Sequence, residues 1–215
     1  MNKTYQQLIH IPAGTAHLEG MLVIPEGAPG VVLFAHGSGS SRHSPRNNYV
    51  AGKLHEEGLA TLLIDLLTEQ EDSNYETRFD IALLTRRLQS TTEWLQTDAR
   101  TRHLRIGYFG ASTGAAAALQ AAANLGAAIT AVVSRGGRPD LAGAHHLARV
   151  TSPTLLIVGG YDDVVIELNQ QAHELLQCTK ELVIVPGATH LFEEPGTLDQ
   201  AAQHACDWFS CYLKA

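Results

Sequence analysis

The chain has 215 residues, 45% of them hydrophobic, with a formal net charge of −7. This length suits one α/β domain with a large core, and no Lys/Arg cluster marks a nucleic-acid or anionic-membrane surface, so neither is expected as a partner. Cys178, Cys206 and Cys211 form no metal or disulfide pattern, and they read as reduced apolar helix residues.

The first seven residues are polar and lead into a strand. No apolar signal core and no bilayer-length apolar run is present, so the expected location is cytoplasmic. Tyr5–Ile11 and His17–Ile24 alternate apolar and polar residues, as an antiparallel edge hairpin with one wet face should. Val31–Ala35, Ala60–Ile64, Leu104–Phe109, Ile129–Val133, Thr154–Val158 and Leu182–Val185 are near-continuous apolar runs. Such runs imply strands covered on both faces, hence a mostly parallel sheet between helical layers. Helical periodicity fills the gaps at Asn48–Glu57, Phe79–Gln96, Ser112–Leu125, Val164–Leu176 and Leu198–Tyr212. With no repeat and no linker, the expectation is a single domain over 1–215, a three-layer α/β/α sandwich. The stretch Ser134–Ser152 has room for one short helix near Leu141–Val150, which is too little for a lid.

Chemistry concentrates where strands end. Gly110-Ala111-Ser112-Thr113-Gly114 lies between an apolar strand and an Ala-rich helix, the pattern of a nucleophile elbow. The backbone must turn within a residue or two, and flanking glycines leave room where a Cβ would strike a neighbour. The Ser112 hydroxyl is then held at the positive end of a helix, where an oxyanion is stabilised.

The carboxyl ends of parallel strands share one edge. His36-Gly37-Ser38-Gly39 follows the third strand, and the backbone N–H groups of Ser38 and Thr113 are the expected oxyanion donors. His36 reads as a brace of this loop, and so does Asp65 at the end of the next strand. After the seventh strand comes Gly159-Gly160-Tyr161-Asp162-Asp163; Asp162 is expected to orient a histidine and Asp163 to cap the helix that follows. His190, in the turn Gly187-Ala188-Thr189-His190, is the expected general base. Arg42 and Arg46 after the oxyanion loop, and Arg135 and Arg138 after the sixth strand, are candidate substrate-binding cations. His145-His146 lacks companions for a metal site, so no metal is expected.

The order Ser112, Asp162, His190 is that of α/β-hydrolases. On these residues the chain resembles the α/β-hydrolase superfamily, and within it the small lidless branch of dienelactone hydrolase-like proteins. The resemblance runs over nearly the whole chain. It implies an eight-stranded, mostly parallel sheet, a Ser/Cys–His–Asp triad and ester hydrolysis without a cofactor. Dienelactone hydrolases proper carry cysteine as the nucleophile, whereas this chain has Ser112, which favours general carboxylesterase chemistry on small or medium esters. Two alternatives share the sequence: a thioesterase or acyltransferase using the same triad, and a non-catalytic binding protein on a hydrolase fold.

Overall fold

The computed structural model describes residues 4–214. Met1–Lys3, which belong to the polar start read from the sequence, lie outside the described residues.

Eight strands make one sheet: β1 (Tyr5–Ala13), β2 (Ala16–Ile24), β3 (Gly30–Ala35), β4 (Ala60–Ile64), β5 (Arg105–Ala111), β6 (Ala131–Arg135), β7 (Thr154–Gly159) and β8 (Lys180–Val185). Their spatial order is β1-β2-β4-β3-β5-β6-β7-β8. β1 pairs antiparallel with β2, and β2 with β4; every later pairing is parallel. The antiparallel hairpin at one edge and the parallel remainder follow from the two sequence patterns, alternating and continuous.

The helices are α1 (Pro45–Glu56), α2 (Glu69–Asp72), α3 (Ile81–Thr97), α4 (Thr113–Leu125), α5 (Ala144–Leu147), α6 (Asp163–Leu175) and α7 (Thr197–Leu213). One face of the sheet is covered by α1 and α7, through Val50, Leu54, Ala202 and Phe209. The other face packs against α3, α4 and α6, through Leu84, Leu88, the alanines of α4 and Ala172. Small side chains on α4 let it lie close over the centre of the sheet, so that its first turn meets the end of β5.

Three local differences from the sequence reading have physical causes. β6 runs two residues further than its apolar run, because Ser134 and Arg135 pair with Gly110 and Ala111 of β5 and are themselves buried. Pairing, not hydrophobicity, ends that strand. Glu69–Asp72 forms a single helical turn outside the periodic segments of the sequence; Thr68 and Glu71 build a capping box around it. The expected helix near Leu141–Val150 is a 3₁₀ turn, Pro139–Ala142, followed by the single turn of α5. Among the described residues no helix is long and apolar enough to cross a membrane.

Candidate active site

The elbow begins with Ser112, which has φ 51° and ψ −122° and directly precedes α4. A non-glycine residue in this region of backbone space is strained and persists only where its surroundings hold it. Two glycines make that possible. A Cβ on Gly114 would stand 2.2 Å from the Ala35 carbonyl oxygen, and one on Gly110 would stand 2.4 Å from Ala115 Cα. The Ser112 carbonyl is anchored as well, accepting from Arg138 N–H at 3.0 Å.

His190 lies in the loop after β8. Its Nδ1 donates to Asp162 Oδ2 at 2.6 Å, which leaves Nε2 as the nitrogen free to exchange a proton. The loop is braced by Glu194, whose carboxylate accepts from the Thr189 N–H and hydroxyl. Those bonds hold the Glu194 carboxyl below its ordinary range. Sequence reasoning missed Glu194; an acid five residues after Thr189 in a tight turn was its only signal.

Asp162 and Asp163 divide their work differently from the expectation. α6 starts at Asp163, so Asp162 occupies the N-cap position, but its side chain makes no capping bond. It turns to His190 instead, and Asp163 is the first helical residue, where its charge favours the helix dipole. The expected contact of Asp162 with a histidine is present; Asp163 is not the cap of the helix.

Ser112 and His190 line one cavity of about 220 Å³, together with Ser38, Arg46, Asn47 and Arg135. Among the described residues no hydrogen bond joins the Ser112 hydroxyl to the imidazole. Such contacts commonly tighten only when substrate binds. A larger cavity of about 590 Å³ lies beyond the β3–α1 loop, around Glu19, Arg42, Asp65 and Asp72, and holds none of the three residues.

Of the two expected oxyanion donors, Thr113 opens α4, so no carbonyl of its own helix can take its N–H. The Ser38 N–H donates to Thr113 Oγ1 at 2.9 Å, so it is engaged with the elbow and not with open space. His36 and Asp65 brace the loop that carries Ser38. The Leu66 N–H donates to His36 Nε2 at 3.0 Å, which places the imidazole proton on Nδ1, where it faces the Gly37 carbonyl. Burial pushes the His36 pKa down, which keeps it neutral. Asp65 accepts from the Arg42 N–H at 2.6 Å and from the Arg42 guanidinium.

The four candidate arginines separate. Arg42 is bound by Asp65 and Glu19 at the second cavity, away from Ser112. Arg138 pairs with Asp140 and does not line the Ser112 cavity. Their charges are spent on local carboxylates, which sequence position could not reveal. Arg46 lines the cavity while pairing with Glu193 at 3.2 Å. Arg135 lines it too, with its guanidinium near the Phe192 and Phe109 rings, 5.7 and 6.0 Å from their centroids. Burial first, and then the charge of Arg46, push the Arg135 pKa down to about 10, so it is still a cation at neutral pH. Among the described residues no cluster of His, Cys, Asp and Glu could hold a metal ion.

The chain is similar to a dienelactone hydrolase from Anabaena variabilis whose crystal structure superposes with a TM-score of 0.95 at 56% identity, covering 97% of this chain and 98% of that one. It is 58% identical over 205 residues to a Mycobacterium tuberculosis (strain H37Rv) protein that carries the name "Putative phosphoribosyl transferase Rv0571c". That match takes in 95% of this chain and 46% of the relative, so the chain spans about half the length of the curated relatives it matches. The fold also matches Est1E from Butyrivibrio proteoclasticus, TM-score 0.78 at 15% identity over 94% of this chain and 99% of that one, a likeness of fold alone. The model of the "Dienelactone hydrolase family" matches residues 18–213, from within β2 to the end of α7, and the chain belongs to that hydrolase family.

Proposed function

We propose that this protein is a serine esterase that cleaves small or medium carboxylic esters through an acyl-enzyme. The observation that carries the reading is a strained Ser112 sharing a cavity with a His190 whose Nδ1 is tied to Asp162 at 2.6 Å. Ser112 attacks the ester carbonyl as His190 Nε2 takes its proton. The tetrahedral oxyanion is met by the Thr113 N–H and by the Ser38 N–H, which the Thr113 hydroxyl holds in place while it shares its proton with the oxyanion. The imidazolium returns the proton to the departing alcohol, while Asp162 keeps the ring in the correct tautomer and offsets its charge. Water activated by the same imidazole then releases the acid.

The test is fluorophosphonate labelling and p-nitrophenyl acetate hydrolysis. Wild-type protein is expected to gain one adduct at Ser112, and Ser112→Ala to lose the adduct and about 10⁶-fold in kcat, as triad nucleophile knockouts do. A pure Ser112→Ala variant that still hydrolyses the ester overturns the reading. An unchanged wild-type mass points instead to a binding protein on this fold. Acyl transfer to added alcohols or thiols in preference to water would identify a transferase or thioesterase using the same residues.

A further inference from the structure

Arg87 and Arg135 are equally buried, each keeping 7% of its surface, and their surroundings differ. Arg87 donates to Glu71 at 2.6 Å and to the Ala13 carbonyl at 3.2 Å. Arg135 has no carboxylate partner among the described residues. Its Nη2 reaches the neutral Asn47 Oδ1 at a long 3.4 Å, and its Nε and Nη1 are buried with no acceptor among the described residues. Burying a cation in this way is unfavourable for folding alone. Arg135 lines the Ser112 cavity, where an anionic ligand would offset its charge.

A second feature converges on the same space. The N-terminus of α1, a helix of 12 residues, opens onto this cavity through its N-cap Ser44 and the first-turn residue Asn47. That first turn contains no acidic residue, although the helix dipole favours one there. No acidic residue lines the cavity. In that turn Pro45 carries no N–H and the Asn47 N–H is taken by Ser44 Oγ at 3.3 Å, so the Arg46 N–H is the backbone donor left for an anion, on the same cavity wall as Arg135.

We propose that the ester cleaved at Ser112 carries a phosphate group, seated between Arg135 and the N-terminus of α1. This rests on the serine esterase reading. Phosphate fits the donor arrangement better than carboxylate does. A single guanidinium can satisfy a planar carboxylate, whereas here donors approach from the end of β6, the first turn of α1 and the serines of the β3–α1 loop. A tetrahedral oxyanion accepts from several directions at once. A cavity of about 220 Å³ leaves only a few atoms between the anion and the ester carbon, so the substrate is a small phosphorylated ester. Hydrolysis adds water across the ester bond and leaves the phosphate intact.

The experiment compares matched esters with the intact chain. One pair is 1-acetylglycerol 3-phosphate against 1-acetylglycerol; the other is the methyl ester of 3-phosphoglycerate against methyl glycerate. In at least one pair the phosphorylated member is expected to have a kcat/KM about 100-fold higher, the scale of a desolvated charge pair. Inorganic phosphate is expected to compete against p-nitrophenyl acetate. Arg135→Gln is expected to bring the ratio close to one, and Arg46→Gln to lower it by less. The Arg46→Gln variant and the phosphate competition keep the test decisive if Arg135→Gln does not fold. Equal rates within both pairs on an active enzyme overturn the inference and leave the esterase reading in place. Monomethyl succinate preferred over methyl butyrate by as much overturns phosphate in favour of carboxylate. If no ester is cleaved but ³¹P signals of glycerol 3-phosphate broaden on wild-type protein and not on Arg135→Gln, the anion site stands and the esterase reading falls.

Discussion

Asp162 stands at the N-cap of α6, yet its carboxylate leaves the helix end uncapped and accepts the Nδ1 proton of His190 at 2.6 Å. A good N-cap bond is worth about 1 kcal/mol, and here the chain does without it. Asp162→Asn is therefore expected to cost little stability, because an amide at the N-cap can still cap. Its effect on turnover is expected to be about 10⁴-fold, since asparagine holds the imidazole in the wrong tautomer. Asp163→Asn changes only a charge in the first turn of α6, so kcat should stay within about twofold and stability should fall by about 0.5 kcal/mol. Steady-state kinetics and urea unfolding of both variants check this. A large kcat loss in Asp163→Asn alone would reverse the assignment.

The glycines of the elbow make a sharper stability prediction. On Gly114 an added methyl meets backbone oxygens of Ala35 and His36 at 2.2 and 2.5 Å, and neither can move without parting β3 from α4. Gly114→Ala is expected to destabilise by about 3 kcal/mol or more and to abolish turnover. Gly52, in the middle of α1, has nothing within 4 Å of the same methyl. Gly52→Ala is expected to stabilise by about 0.5–1 kcal/mol. Thermal melts of the two variants should move in opposite directions, and a neutral Gly114→Ala would contradict the packing at the elbow.

These pairs also show what a linear sequence carries. The elbow was legible because its requirements are local: a strand, a turn, glycines where a Cβ cannot fit, then small residues on a helix. The convergence of Ser112, Asp162 and His190 at one rim was legible because parallel strands must end on the same side. What was not legible depends on non-local partners. Arg42, Arg46, Arg135 and Arg138 look alike as residues at strand or loop ends; only the fold reveals that Asp65, Glu193 and Asp140 answer three of them and that, among the described residues, no carboxylate answers Arg135. The apolar run of β6 ends before Arg135, and only pairing with its neighbours in the sheet extends the strand to it.

His36 ties stability to pH. Its Nε2 accepts from the Leu66 N–H while Nδ1–H faces the Gly37 carbonyl, so a second proton would set two donors against each other. Burial lowers its pKa from the ordinary 6.5, so the unfolded chain binds the proton more readily than the folded one. The stability that neutral His36 contributes is complete above that ordinary value. It is lost as pH falls from there toward the folded pKa, with a limiting slope of about 1.4 kcal/mol per pH unit. His55 has a lowered pKa from burial as well and adds to the same slope. Urea midpoints should drop between pH 7.5 and 5.5, and His36→Gln should reduce that drop while lowering stability at pH 7.5. An unchanged difference between the two pH values in His36→Gln would remove His36 from the account.

Thr113 joins the two halves of the expected oxyanion hole: its backbone N–H is one donor, and its hydroxyl accepts from the other, the Ser38 N–H, at 2.9 Å. The side chain is buried, so this bond is shielded from water and holds the β3–α1 loop against the elbow. Valine has the same shape without the acceptor. Thr113→Val leaves the Ser38 N–H in place but free to drift, so kcat is expected to fall about tenfold, less than the 10²–10³ that accompanies outright loss of an oxyanion donor. KM should change little, because the donor acts on the tetrahedral state, and Thr113→Ser should restore most of the rate. Kinetics with p-nitrophenyl acetate on the three proteins decide the point. A rise in kcat for Thr113→Val would mean that the hydroxyl competes with the oxyanion for the Ser38 proton, and its role would then be restraint of the site instead of support.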